Sequence, residues 1–293
     1  MSVPVVKAPD AVRPARPRRL RYGVRWTLRR PGLVLSVLFL VWVLLWAAVP
    51  GLFATHDPLV GVPADKLLPP GPGHWFGTDH LGRDLFSRTV HGASLSLGAT
   101  ALAVFVGFVA GSVLGLFSGF VGGWSDEVVM RCVDVMMSIP GLLLSLAVVT
   151  VLGFGTLNVA VAVGIAAVAG FARVMRADVL RTCTEVFVEA AESLGVSRRR
   201  TLVRHVLPHS IGSVLVLAAL EFGTAILAVS SLSFLGFGAA PPTPEWGSLV
   251  SEGRNYLVSA WWLTTLPGLV IVLTMLATNR VARALDAGRG EDR

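Results

Sequence analysis

Charge is scarce in this chain: 15% of its 293 residues are Asp, Glu, Lys or Arg, against 54% hydrophobic. Soluble globular domains carry about 25% charged residues, so the composition excludes an ordinary water-soluble enzyme and points to a helical membrane protein. Cysteine is nearly absent. Cys132 and Cys183 stand far apart, one at a membrane boundary and one in a basic loop, and neither a disulfide nor a cysteine metal site is expected. No Gly-x4-Gly-Lys-Ser/Thr loop occurs, which excludes ATP binding by that route. Nucleophile elbows and zinc-protease signatures are missing as well. His205 and His209 are four residues apart, but Pro208 interrupts the helix that a two-histidine metal face requires. His74, Asp79, His80, Asp84 and His91 lack metal-motif spacing. Catalytic residues, cofactors and metals are therefore not expected, and no nucleic-acid partner is implied.

Long hydrophobic runs take the place of what is missing. About 20 apolar residues cross a bilayer as a helix, and the uncharged stretch 32–49 supplies a first span. The 34 residues from Gly92 to Ser125 are uncharged, with glycines at 119, 122 and 123 marking a turn, so a second span falls near 94–118. Val135 to Ala172 is uncharged for 38 residues, about 57 Å as one helix, and must turn back, with Gly153-Phe154-Gly155 as the turn. Spans at 211–235 and 260–278 bring the expected number to six, an all-α polytopic protein.

Positive charge in short loops marks the cytoplasmic side. With the N-terminus inside, the inner segments hold 21 Lys and Arg residues, and the outer ones hold Lys66, Arg83, Arg88 and Arg254. The expected topology is N-in and C-in. Its divisions are a basic, disordered cytoplasmic tail at 1–30, a first span at 31–50, an external loop at 51–91, and a five-helix core at 92–284 with a cytoplasmic loop at 173–209. A short tail follows at 285–293. A cleaved signal peptide is the rival for the N-terminus, but the basic region is long and the apolar stretch exceeds a usual signal core.

Several polar residues stand out against this background. Asp79, Arg83, Asp84 and Arg88 form a charged string outside the second span, readable as an external gate or as ion pairs holding the loop to the bundle. Arg131 and Asp134, three apart, are expected to pair within the third span. Pro140-Gly141 should kink that helix. Glu221 is the one acid expected well inside a span, so it faces a pathway or a subunit interface, with Ser231 and Ser233 further along the same helix. Trp246, Tyr256, Trp261 and Trp262 fit an interfacial aromatic belt.

The cytoplasmic loop is the most specific segment. Phe187, Ala190, Ala191 and Leu194 fall at i, i+3, i+4 and i+7, a shallow apolar stripe on a short helix. Gly195 can end that helix and Ser197 can cap a second. Glu189, Glu192, Arg198, Arg199, Arg200 and Arg204 ring the stripe with charge, as a docking unit or as a connector lying on the bilayer interface.

Taken in order, Glu189-Ala190-Ala191, three residues, Gly195, nine residues, His205, and Leu207-Pro208 resemble the EAA loop of permease subunits of bacterial ABC importers. Phe76-Gly-Thr-Asp79, Gly82-Arg-Asp84, Ser87-Arg88, Gly119-Phe-Val-Gly-Gly-Trp124, Leu232-Ser-Phe-Leu-Gly236 and Pro241-Pro-Thr-Pro244 narrow the resemblance. They are similar to the second permease of the dipeptide, oligopeptide and nickel class, over about residues 30–288. The resemblance implies a type I importer permease fold and a heterodimer with a related permease. It also implies two cytoplasmic ATPase subunits, an external solute-binding protein, and residence in the bacterial cytoplasmic membrane. It makes Glu189, Ala190, Ala191, Gly195, Arg198, His205, Leu207 and Pro208 the ATPase-coupling loop, with no ATPase site in this chain. Peptides are the expected cargo, nickel or another small solute the alternative. The class usually carries Glu where this chain has Val229, and Glu221, just over two turns earlier, is a candidate replacement. An ion-coupled secondary transporter or a membrane enzyme would need coupling residues in several spans or a convergent catalytic set.

Overall fold

A computed structural model describes residues 31–290. The expected N-terminal basic tail and the last three residues lie outside the described residues. Ten helical segments account for most of the rest: α1 (Pro31–Ala48), α2 (Leu85–Val121), α3 (Gly123–Ser138), α4 (Gly141–Leu152) and α5 (Thr156–Cys183). Then come α6 (Val186–Ser193), α7 (Arg198–Thr201), α8 (Leu207–Phe234), α9 (Trp246–Gly253) and α10 (Trp262–Gly290). Five helices are long and apolar enough to cross a membrane, and six spans result when the bent pair α3–α4 is taken as one.

The break in that pair is sharper than the expected kink. The two helices meet at 98°. Pro140 has no N–H to donate and crowds the residue before it, and Ile139 accordingly leaves helical geometry for an extended backbone at φ −97°, ψ 131°. The turn at Gly153-Phe154-Gly155 is present, with both glycines at positive φ. Helix ends elsewhere run past the apolar stretches: α2 has 37 residues and α10 continues to Gly290. Hydropathy marks the part of a helix fit for lipid, whereas backbone hydrogen bonding carries the helix on into water.

The centre of the bundle is the contact between α2 and α5, and glycine makes it close. Gly107, Gly111, Gly115 and Gly119 recur every fourth residue on one face of α2. A Cβ at Gly111 would stand 2.5 Å from both Phe171 Cβ and the Val168 carbonyl, and one at Gly107 would stand 2.9 Å from Ala167. Gly115 and Gly119 abut the carbonyls of Ala172 and Arg176 in the same way. This is the small-residue spacing that lets membrane helices approach backbone to backbone. Gly119 therefore belongs to the packed face, and the turn that ends α2 is made by Gly122 and Gly123, both at positive φ.

Candidate functional site

The Arg-rich segment, expected as a cytoplasmic loop at 173–209, starts within α5, and its non-helical part follows the end of that helix at Cys183. In α6 the buried residues are Val188 and Ala191, while Phe187, Ala190 and Leu194 are exposed. Three of the four stripe residues, Phe187, Ala190 and Leu194, thus face outward, while Ala191 is buried and Val188 joins the main core cluster with Val206. Gly195 has φ +78°, and the Val196 amide donates to the Ala191 carbonyl at 3.1 Å, closing a Schellman-type helix end. Ser197 stands at the N-cap of α7 with an extended backbone, but its side chain makes no capping bond.

Pro208 does not separate two helices as the sequence suggests. A π turn, Leu202–Val206, carries α7 directly into α8, and proline sits in the first turn of α8, where a missing N–H costs least. The Phe187 ring lies 4.8 Å from that of His209 and 6.4 Å from that of His205, so α6 is laid against the start of α8. Glu189, Arg198, Arg199, Arg200, Arg204 and Pro208 are exposed, and Leu207 is half-buried. The surface offers charge and apolar area together, anchored through Val188 and Val206 to the bundle.

The external string resolves into a buried network. Arg83 Nε donates to Asp79 Oδ2 at 2.6 Å, Arg88 Nη1 stands 3.4 Å from the same oxygen, and both guanidinium groups reach Glu252 on α9. Asp84 is separate from it: its Oδ2 caps α2 by accepting from the Ser87 amide at 2.7 Å, and its Oδ1 meets His74 Nδ1 at 2.8 Å. Nearby, Glu245 is wholly buried, accepting from the amides of Gly247 and Ser248 and from the Ser96 hydroxyl. Burial pushes its carboxyl above the ordinary glutamate range, against the pull of those donors. Neither Glu245 nor Glu252 stands out in the sequence, because Ser96, Arg83 and Arg88, which they meet, lie on α2 and the loop before it, far along the chain.

Within the bundle, Arg176 makes a bidentate pair with Asp126 at 2.5 and 2.6 Å, tying α5 to α3. Asp134 pairs with Arg173 at 2.6 Å, and Arg131 turns to Glu127 at 3.7 Å, so the expected Arg131–Asp134 pair is replaced by one between helices. Glu221 lines a groove of about 380 Å³ with α3, α4 and α5, and Thr224 Oγ1 donates to its carboxylate at 2.7 Å. Ser231 and Ser233 are not among the groove's lining residues. Ser233 lies three turns further along α8, beside Glu245 and Gly238. Val229 is buried in the core rather than facing the groove.

Residues 111–290 match the family described as binding-protein-dependent transport system inner membrane component. The chain belongs to that family. This inner membrane component is 39% identical over 273 residues to a probable D,D-dipeptide transport system permease protein of Escherichia coli (strain K12), covering 92% of this chain and 91% of the relative. It is 44% identical over 216 residues to the glutathione transport system permease protein of Escherichia coli O6:K15:H31 (strain 536 / UPEC), covering 74% and 71%. Its fold is similar to that of a chain in inward-facing conformations of a methionine ABC transporter, with TM-score 0.52, 18% identity, and 68% of this chain and 96% of that one covered. An amino acid ABC transporter gives TM-score 0.54 at 17% identity, over 69% and 94%. The component is therefore an all-helical, multi-pass permease subunit with the type I importer fold.

Proposed function

We propose that this permease forms half of the translocation path of a bacterial ABC importer for small peptides, paired in the cytoplasmic membrane with a second, related permease. Two cytoplasmic ATPases supply the energy, since this chain has no phosphate-cradling loop, and an external solute-binding protein delivers the cargo. The chain runs N-in and C-in, with 51–91 outside, 92–284 as the core and 173–209 facing the ATPases.

The observation that carries the reading is the loop from Glu189 to Pro208. Its exposed face presents Ala190, Phe187 and Leu194 beside the exposed charges of Glu189, Arg198, Arg199, Arg200 and Arg204, and its inner face is fixed to the core by Val188 and Val206. A force applied by an ATPase to such a loop reaches α8 through the ring contact of Phe187 with His209 and the core packing of Val188 and Val206. ATP and loaded binding protein then drive the cycle by binding the inward-open and outward-open forms unequally. Peptide cargo is supported by the two relatives named above, one a D,D-dipeptide and the other a glutathione permease.

Purification of the tagged chain from its native membrane in mild detergent tests the assembly. Recovery of a second permease and two ATPases, with ATP-dependent peptide uptake after reconstitution with the binding protein, is the expected result. A stable chain recovered alone that moves solute without ATP would overturn it in favour of a secondary transporter.

A further inference from the structure

Among the described residues, Glu221 is the only charged one lining the 380 Å³ groove, whose other walls are nearly all apolar or small, among them Met136, Ile139, Leu142 and Ala225. Among the described residues Glu221 joins no ion pair, and its one side-chain partner is the neutral Thr224 hydroxyl. Two other acids of the helix bundle are paired with cations: Asp126 with Arg176 and Asp134 with Arg173. Glu221 is half-buried, and within membrane helices ionisable groups of this kind mark substrate or ion paths.

The groove also contains the break between α3 and α4. Met136 and Met137, in the closing turn of α3, line it, and the carbonyls that end a helix carry partial negative charge. Discontinuous membrane helices recur at transporter binding sites for this reason. The volume is at the small end of the range for small-molecule sites.

From the unpaired carboxylate and the broken helix facing one groove, we propose that Glu221 is a recognition residue for the ammonium group of the passing solute, so that the path favours peptides with a free amino terminus. The inference rests on the transport reading above and adds a chemical selectivity within the membrane, beyond that of the binding protein. Thr224 holds one carboxylate oxygen, leaving the other to accept from the ammonium.

The test uses proteoliposomes holding the complete transporter and its binding protein, with one dipeptide in free-amino and N-acetylated forms, each at a concentration that saturates the binding protein. Wild type should take up the free-amino form about tenfold faster, the effect of one charge-assisted contact. Glu221→Gln should bring that ratio near one, and Glu221→Asp should keep most of it. ATP hydrolysis stimulated by loaded binding protein should stay within twofold, so free-amino peptide delivered per ATP falls. Equal loss of both forms in Glu221→Gln, or an unchanged ratio and unchanged delivery per ATP, overturns the inference and makes Glu221 structural or inert. Absence of ATP-dependent uptake by wild type would sink the transport reading instead.

Discussion

Arg88 has no exposed side-chain surface, and its Nη2 lies 3.2 and 3.1 Å from the two carboxylate oxygens of Glu252, which stands 164 residues further along the chain. With Asp79 and Arg83 the pair closes a network between the external loop, the first turn of α2 and α9. Between a gate and a structural clamp, this burial favours the clamp: a gate must let solvent in, and Arg88 is sealed. Removing one partner of a buried pair costs about 3 kcal/mol or more, because the remaining charge is left in low dielectric. Glu252→Ala should therefore lower the unfolding midpoint of the detergent-solubilised permease, and Arg88→Met combined with Glu252→Leu should recover part of the loss. Equal midpoints for wild type and Glu252→Ala would show that the network holds nothing in place.

The glycine stripe on α2 sets a second expectation. A Cβ at Gly111 would press on the Phe171 side chain and the Val168 backbone at once, and backbone cannot rotate away. Overpacking of this kind costs about 1–3 kcal/mol. Gly111→Val should reduce folded yield and lower the unfolding midpoint, whereas Gly98→Ala on the same helix, where a Cβ meets nothing, should not. If both variants unfold together with wild type, the helices are not held at glycine contact.

Which of these features can be read from sequence follows from the distance over which they are determined. The turn at Gly153-Phe154-Gly155 and the helix end at Gly195 depend on nearby residues and stand where local reasoning puts them, and the apolar stretches fall mainly within helices that extend beyond them. The stripe at Gly107, Gly111, Gly115 and Gly119 is equally local. Its fourfold spacing is visible, but a hydropathy reading counts glycine as neutral and passes over it. The 98° break at Pro140 looks only like a kink, since a proline alone does not say whether neighbouring helices will hold the chain straight. Arg173–Asp134 and Arg88–Glu252 join separate helices, and no pattern along the chain pairs them.

Gly195 offers a way to separate coupling from folding. Its φ of +78° is left-handed, and a Cβ there would meet no atom of the described residues within 4 Å. Aspartate tolerates that backbone better than most residues, at about 1–2 kcal/mol or less. Gly195→Asp should leave the unfolding midpoint nearly unchanged while abolishing ATPase docking or its stimulation, with uptake down at least about tenfold. Normal transport by this variant would contradict the assignment of the loop as the coupling surface.

Glu245 gives a pH-dependent expectation. Burial raises its carboxyl above the ordinary glutamate value of 4.5, while hydrogen bonds from Gly247, Ser248 and Ser96 oppose the shift without cancelling it. A carboxyl raised on folding binds its proton more tightly in the native state. Its stabilising contribution is complete below the unfolded value and is lost as pH rises through the folded one. Other carboxylates titrate in the same range, so the informative quantity is a difference. Glu245→Gln keeps the shape and one acceptor oxygen but does not titrate. The unfolding midpoint of wild type minus that of Glu245→Gln should be larger at pH 5 than at pH 8. The opposite slope would mean that the three donors around the site outweigh burial and hold Glu245 ionised, so that the cap of α9 works as a charge. A flat difference would mean that the carboxyl keeps one protonation state in both folded and unfolded chains across that window.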